Sequence, residues 1–184
     1  MLRKTKTAMI AARLGMLSLL SLLTPSCTDD APPGCRPGVP CQCIGGNCLY
    51  RCQEFSGCVP ACASADSCSA LCGDQCKYDC RSGTDCSATC TSDCAISCQS
   101  TSTCAAECGD RCAYDCRDVS SCTPHVGPKS QVVCERVGSC QVQCAGDCVV
   151  DCRQTGSCEV QCAKGPKLDC GNGRVACGSC ADPV

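Results

Sequence analysis

From residue 68 onward, polar and apolar positions alternate in short bursts of the form C-x-Φ-x-C, two bursts to a unit. Cys68, Cys86, Cys104, Cys122, Cys140 and Cys158 recur every 18 residues and define slot a. Slot b, four residues on, holds Cys72, Cys90, Cys108, Cys144 and Cys162. Slot c holds Cys76, Cys94, Cys112 and Cys148, and slot d holds Cys80, Cys98, Cys116, Cys134, Cys152 and Cys170. Between a and b the middle residue is small or apolar (Ala70, Ala88, Ala106, Val142, Val160), with Pro124 the exception. Between c and d it is apolar or aromatic (Tyr78, Ile96, Tyr114, Val132, Val149, Leu168). Period-two alternation is a strand pattern that puts Cys, Φ and Cys on one face. Gly73-Asp74, Gly109-Asp110 and Gly146-Asp147 mark the b–c turns, and Arg81-Ser82-Gly83-Thr84 typifies the longer d–a turns.

Two strands and two turns fill one unit, which predicts a small, disulfide-rich, mostly β chain: a narrow β-solenoid. Six coils would rise roughly 29 Å at about 4.8 Å each. The rival reading is a set of disulfide-stapled short helices or an irregular chain, because Cys at i, i+4 and i+8 also lines a helix face. Gly, Ser, Thr and Asp crowd these segments and argue for turns instead. The organisation expected is a leader over 1–26, a linker over 27–34 and an N-terminal Cys-rich cap over 35–67. The repeat domain follows over 68–175, with a C-terminal cap and tail over 176–184.

The imperfect fourth unit bears on pairing. Its slots b and c are Val126 and Ser130, lost together, while Cys122 and Cys134 remain. That pattern pairs b with c across the short turn and d with the next a across the long one. The expected bridges are Cys72–Cys76, Cys80–Cys86, Cys90–Cys94, Cys98–Cys104, Cys108–Cys112, Cys116–Cys122, Cys134–Cys140, Cys144–Cys148 and Cys152–Cys158. The same rule continues upstream to Cys62–Cys68 and Cys52–Cys58. It leaves Cys35, Cys41, Cys43 and Cys48 to a cap, and Cys162 to one of Cys170, Cys177 or Cys180. Sequence alone cannot fix such connectivity.

The first residues change the picture of where this happens. Arg3, Lys4, Lys6 and Arg13 precede an apolar run from Leu14 to Leu23. The run is too short to span a bilayer permanently and suits a signal peptide. It ends Leu22-Leu23-Thr24-Pro25-Ser26-Cys27, which resembles the lipobox of bacterial lipoproteins. The resemblance implies that Cys27 is diacylated and becomes the new N-terminus, anchoring the chain to a membrane of the cell envelope. Thr24-x-Ser26 also fits an ordinary small-x-small cleavage site, which makes a secreted form the alternative. There are 31 Cys, and lipidating Cys27 leaves an even number for bridges.

Composition explains why bridges are needed. All four leader charges are basic, so the chain from Cys27 has twelve basic and 18 acidic residues, a net charge of −6. Leu, Ile, Val and Phe number only 19 of its 158 residues. A core so poor in hydrocarbon leaves chain entropy to be offset by covalent staples, which form in oxidising compartments. No basic stripe or aromatic platform serves nucleic acid.

Candidate chemistry is sparse. His125 is the sole histidine and sits in a Pro/Gly-broken unit, so no nucleophile–base pair is legible and no catalytic residue is assigned. Cys177-Gly178-Ser179-Cys180 imitates a redox motif without a βαβ context and reads as structural. Thiolate metal binding is disfavoured by export, although C-x3-C spacing is compatible with metal, so no metal or cofactor is expected. Asp79, Asp115 and Asp151, each two residues before an Arg, read as a solvated acidic face rather than a calcium column. The outward column Leu71, Thr89, Glu107, His125, Gln143 and Gln161 is no threonine ladder.

The expected function is that of a non-enzymatic, lipid-anchored spacer or binding scaffold. It resembles the bacterial cysteine-rich lipoproteins. Its partners would be a membrane and an unspecified protein, with no nucleic acid and no small-molecule substrate. The alternatives are a secreted inhibitor or adhesin using an outward face, and a metal or thiol buffer.

Overall fold

The computed structural model describes residues 37–54 and 56–181. Cys27 and Cys35 lie outside them, and so does the leader. Among the described residues there are sixteen strands and no helix. They alternate between two parallel sheets. Sheet A takes the odd-numbered strands: β1 (Pro40–Ile44), β3 (Val59–Ala63), β5 (Lys77–Arg81), β7 (Ala95–Gln99), β9 (Ala113–Arg117), β11 (Ser130–Glu135) and β13 (Cys148–Arg153). Sheet B takes β2 (Asn47–Cys52), β4 (Ser67–Cys72), β6 (Asp85–Cys90), β8 (Thr103–Cys108), β10 (Ser121–Val126), β12 (Ser139–Cys144) and β14 (Ser157–Cys162). Each A–B pair is one coil, so the chain is a seven-coil, two-sided β-solenoid.

The register is the sequence period made physical. Cys86 lies over Cys68 and Cys104 over Cys86, and Cys98 stacks between Cys80 and Cys116. Cys, Φ and Cys face inward on every full coil while the alternate residues face solvent, as in the buried–exposed alternation of β6. The stretch expected to be a separate cap over 35–67 supplies coils of this same solenoid. β1 and β2 stack in parallel on β3 and β4, with Cys43 over Cys62 and Cys48 over Cys68.

The interior fills by matching large with small. Tyr78, Ile96 and Tyr114 project from sheet A into the space left by Ala70, Ala88 and Ala106 on sheet B, and all six are buried. In the first coil the order reverses: sheet A offers Cys41, stacked on Pro60 of the second coil, and Tyr50 comes from sheet B. Tyr50 donates to the Ala61 carbonyl at 2.8 Å and Tyr78 to the Cys68 carbonyl at 2.8 Å, so each ring buries apolar area and satisfies its hydroxyl. Val150, rather than the expected Val149, continues the column from Val132, because slot c is Cys148 and the inward residue is two further on.

Both corners use left-handed backbone, with Gly45 and Gly57 in the first coil and residues other than glycine in the coils that follow. Ser64, Ser82, Ser100, Asp118, Arg136 and Gln154, two residues past each slot-d Cys, have φ of 53–55°. Gln75, Asp93, Arg111 and Lys129 do the same at the b–c corner. The flipped peptide turns its N–H toward the next coil. Ser82 N–H donates to Gln99 C=O at 3.0 Å, and Arg111 N–H to Pro128 C=O at 2.9 Å. The corners therefore extend the ladder around the whole coil.

Parallel stacking stops at β14. Leu168 and Cys170 were expected to begin another coil, but the chain folds back as a hairpin of β15 (Lys167–Gly171) and β16 (Arg174–Cys177). β16 lies antiparallel on β13, with Val175 opposite Val150 and Arg174 opposite Asp151, and β15 is pushed to the rim. The turn Gly171-Asn172-Gly173 has positive φ throughout and is the Asn-Gly signal of tight hairpins. A Cβ on Gly173 would lie 2.3 Å from the Cys152 carbonyl oxygen, so only glycine lets this turn approach the last coil.

Candidate functional site

Six d–a corners are stapled: Cys62–Cys68, Cys80–Cys86, Cys98–Cys104, Cys116–Cys122, Cys134–Cys140 and Cys152–Cys158. Cys43–Cys48 closes the equivalent corner upstream, and Cys41 is also disulfide-bonded. At the cap, Cys162 joins Cys177 and Cys170 joins Cys180. The C-x2-C pair is thereby split between two bridges and makes no redox dithiol. Two groups of three sulfurs within 4.8 Å, Cys140/Cys152/Cys158 and Cys144/Cys148/Cys177, consist of disulfide sulfurs and offer no thiolate.

The b–c corners behave differently. Cys72–Cys76 and Cys144–Cys148 are bonded. Cys52 and Cys58, Cys90 and Cys94, and Cys108 and Cys112 were expected to be bonded and are instead adjacent, buried thiols. The physical reason in coils three and four is competition. Stacking sets Cys108 beside Cys90, so each sulfur meets a partner in its own coil and another in the next. Cys90 contacts Cys94 and Cys108, and Cys112 contacts Cys94 and Cys108, closing a ring of four. The within-coil pairs were legible in the spacing. The ring was not read, although an 18-residue recurrence already stacks b on b and c on c.

Slot c has a second role. Cys94 Sγ accepts the Cys76 N–H at 3.3 Å and donates to the Gly73 carbonyl at 3.3 Å. In the unit without these cysteines, Ser130 Oγ accepts the Cys112 N–H at 3.0 Å and donates to the Gly109 carbonyl at 3.4 Å. Serine thus performs the intercoil hydrogen bonding of a slot-c thiol.

The ring has uneven acidity. Hydrogen bonds from Cys108, and then from Cys94, pull the Cys112 pKa below the ordinary thiol range. Cys108 is pushed up by its bonds to Cys112 and Cys90 and then by burial. Cys112 is accordingly the more acidic of the two, with Cys108 a donor to it. The turns over the ring are tied together from outside. Arg111 meets Asp93 through both guanidinium arms at 2.6 and 2.7 Å, and Asp74 accepts from Thr91 and Ser92.

The outward columns are polar. On sheet A, Asp79 pairs with Arg81 at 2.9 Å, Asp115 with Arg117 at 2.9 Å, and Asp151 with Arg153. Ser97 and Val133 separate the aspartates along the sheet. Each carboxylate has its own cation in place of a shared ion. On sheet B, Thr89, Glu107, His125, Gln143 and Gln161 line one side of an open groove of about 700 Å³, and Gly109, Gly127 and Pro128 form its other wall.

Comparison of the chain with protein-family models, with curated proteins and with solved structures gives no match.

Proposed function

We propose that the protein is a non-enzymatic, exported lipoprotein whose disulfide-stapled solenoid acts as a rigid spacer or binding scaffold at the cell envelope. The observation that carries this reading is the unbroken stack of seven coils with a covalent staple at every d–a corner from Cys43–Cys48 to Cys152–Cys158. Local staples fix the corners and the parallel ladder joins the coils, which together make a short, stiff rod. Such extensive bridging is consistent with an oxidising extracellular environment. A further support comes from the first coil. The three exposed large apolar residues among the described ones, Val39, Ile44 and Leu49, all lie there, at the end nearest Cys27.

Two arms test the proposal. Metabolic labelling with a fatty acid should mark the wild-type chain and leave Cys27→Ala unlabelled. Deleting residues 86–121, two units, should shorten the rod by about 10 Å in small-angle scattering and leave it folded. A spacer is expected to lose its envelope phenotype on this shortening and to keep it when Thr89, Glu107 and His125 are replaced by alanine.

The groove beside Glu107 and His125 favours a second reading, an adhesin or inhibitor that holds its partner on sheet B. The opposite result, loss of function on alanine replacement with length unchanged, would establish it.

A further inference from the structure

The b–c corners between β6 and β7 and between β8 and β9 are stacked on one another, and neither has a staple. Below them the corner is closed by Cys72–Cys76, and above them the slots are Val126 and Ser130. The four sulfurs between are buried, with exposures of 7% for Cys90, 2% for Cys94, 8% for Cys108 and 2% for Cys112. Each touches two others in a closed ring. Four sulfur ligands from two C-x3-C turns match the ligand type and spacing of a closed structural zinc site, although no three of them yet lie within 4.8 Å of one another. Zinc–sulfur bonds of about 2.3 Å place all four sulfurs about 3.8 Å apart, so the ring must pucker to bring its opposite sulfurs together before it is tetrahedral.

We propose that Cys90, Cys94, Cys108 and Cys112 form a tetrathiolate site for a soft d10 cation, zinc in the first instance, bridging two coils of the solenoid. The site is independent of the spacer reading. Binding converts the thiols to thiolates and releases their protons to solvent, with no change of oxidation state. The Cys76 N–H that reaches Cys94 Sγ is the kind of hydrogen bond that steadies a metal thiolate. Apart from Cys162–Cys177 and Cys170–Cys180 at the terminal hairpin, the disulfides reported above each close a single corner. A metal here would instead join coil to coil, where only the ladder, turn contacts and core packing now do so.

The chain supplies its own control. Cys108→Val with Cys112→Ser gives the corner between β8 and β9 the residues that the corner between β10 and β11 already carries at these slots, Val126 and Ser130. The variant removes two ligands with a natural precedent for folding. Full-length protein purified from its envelope, without added oxidant, is analysed by elemental analysis and by native mass spectrometry. The expected result is about one zinc per chain, falling to near none in the double variant while its circular dichroism is unchanged. Chelation of the wild type should expose four further thiols to alkylation, and added cadmium should produce a thiolate charge-transfer band absent from the variant. Disulfide-linked peptides joining Cys90 to Cys94 and Cys108 to Cys112, with no metal, would overturn the proposal. Zinc retained by the double variant would overturn it equally.

Discussion

Thr101 occupies the third position past a slot-d cysteine, where Val119 and Val137 stand in the next two coils. It is buried and its hydroxyl has no hydrogen-bond partner. A buried hydroxyl without a partner costs about 1–3 kcal/mol, and valine has nearly its shape. Thr101→Val should therefore stabilise the protein by about 1 kcal/mol. A guanidinium titration with disulfides intact checks this, since the midpoint should move upward. The left-handed corners are another residue-scale feature. Asp118 and Arg136 adopt φ of 55° because the flipped N–H gains an intercoil acceptor, Glu135 C=O for the first and Arg153 C=O for the second. Aspartate tolerates that conformation better than most residues, but arginine gives no such hint. The conformation was therefore not legible from residue type. It is imposed by the stack.

At the scale of elements, the strands were legible because Cys and Φ recur at period two. Their order in the two sheets follows from the 18-residue period. The turns carry a charge ladder that spacing did not reveal. Asp93–Arg111 and Asp118–Arg136 are each 18 residues apart and join successive coils. The Arg111 guanidinium holds the Asp93 carboxyl below its usual pKa, and Arg136 does the same for Asp118. A carboxylate depressed in the folded state adds stability that is present above its unfolded pKa and lost as pH falls through the folded one. Unfolding midpoints should thus be level from neutral pH down to about 4, then decline below it. Both pairs are solvent-exposed, so the decline is expected to be small, and 1 M salt should flatten it. Asp93→Asn with Asp118→Asn should reduce the pH dependence in the same titration, leaving the part carried by Asp74, whose pKa is lowered by hydrogen bonds from Ser92 and Thr91.

For the whole molecule, the exposed ends of the sheets decide whether the chain remains a single rod. A stack of parallel strands presents unpaired backbone at its last coil, a ready template for another chain. The β15–β16 hairpin covers that edge of sheet A, and Cys162–Cys177 and Cys170–Cys180 hold it there. Gly173 fits only because it lacks a Cβ. Gly173→Val should unseat the hairpin, uncover β13 and produce concentration-dependent oligomers in light scattering. Wild-type protein serves as the reference, and a monomeric variant would contradict the capping role. The hairpin was not legible in the sequence because Cys170 lies 18 residues after Cys152 and mimicked a sixth slot d.

The sequence by itself determined the coil. A period of 18, inward Cys-Φ-Cys triplets and paired turns specify a two-strand repeat, because alternation and turn chemistry are local properties of the chain. Its spacing also pointed to the d–a staples, whose partners are five or six residues apart and meet whatever lies above or below. Tertiary structure decided the rest. Stacking gave each slot-b and slot-c sulfur a second neighbour, which turned expected local bridges into a ring shared by two coils. Stacking likewise set the left-handed corners and the ion pairs between turns. The end of the stack depended on whether the last segment adds to the coil or folds back on it, and a tight turn against the Cys152 carbonyl settled that. Contacts between residues one coil apart arise only when the coils are placed on one another.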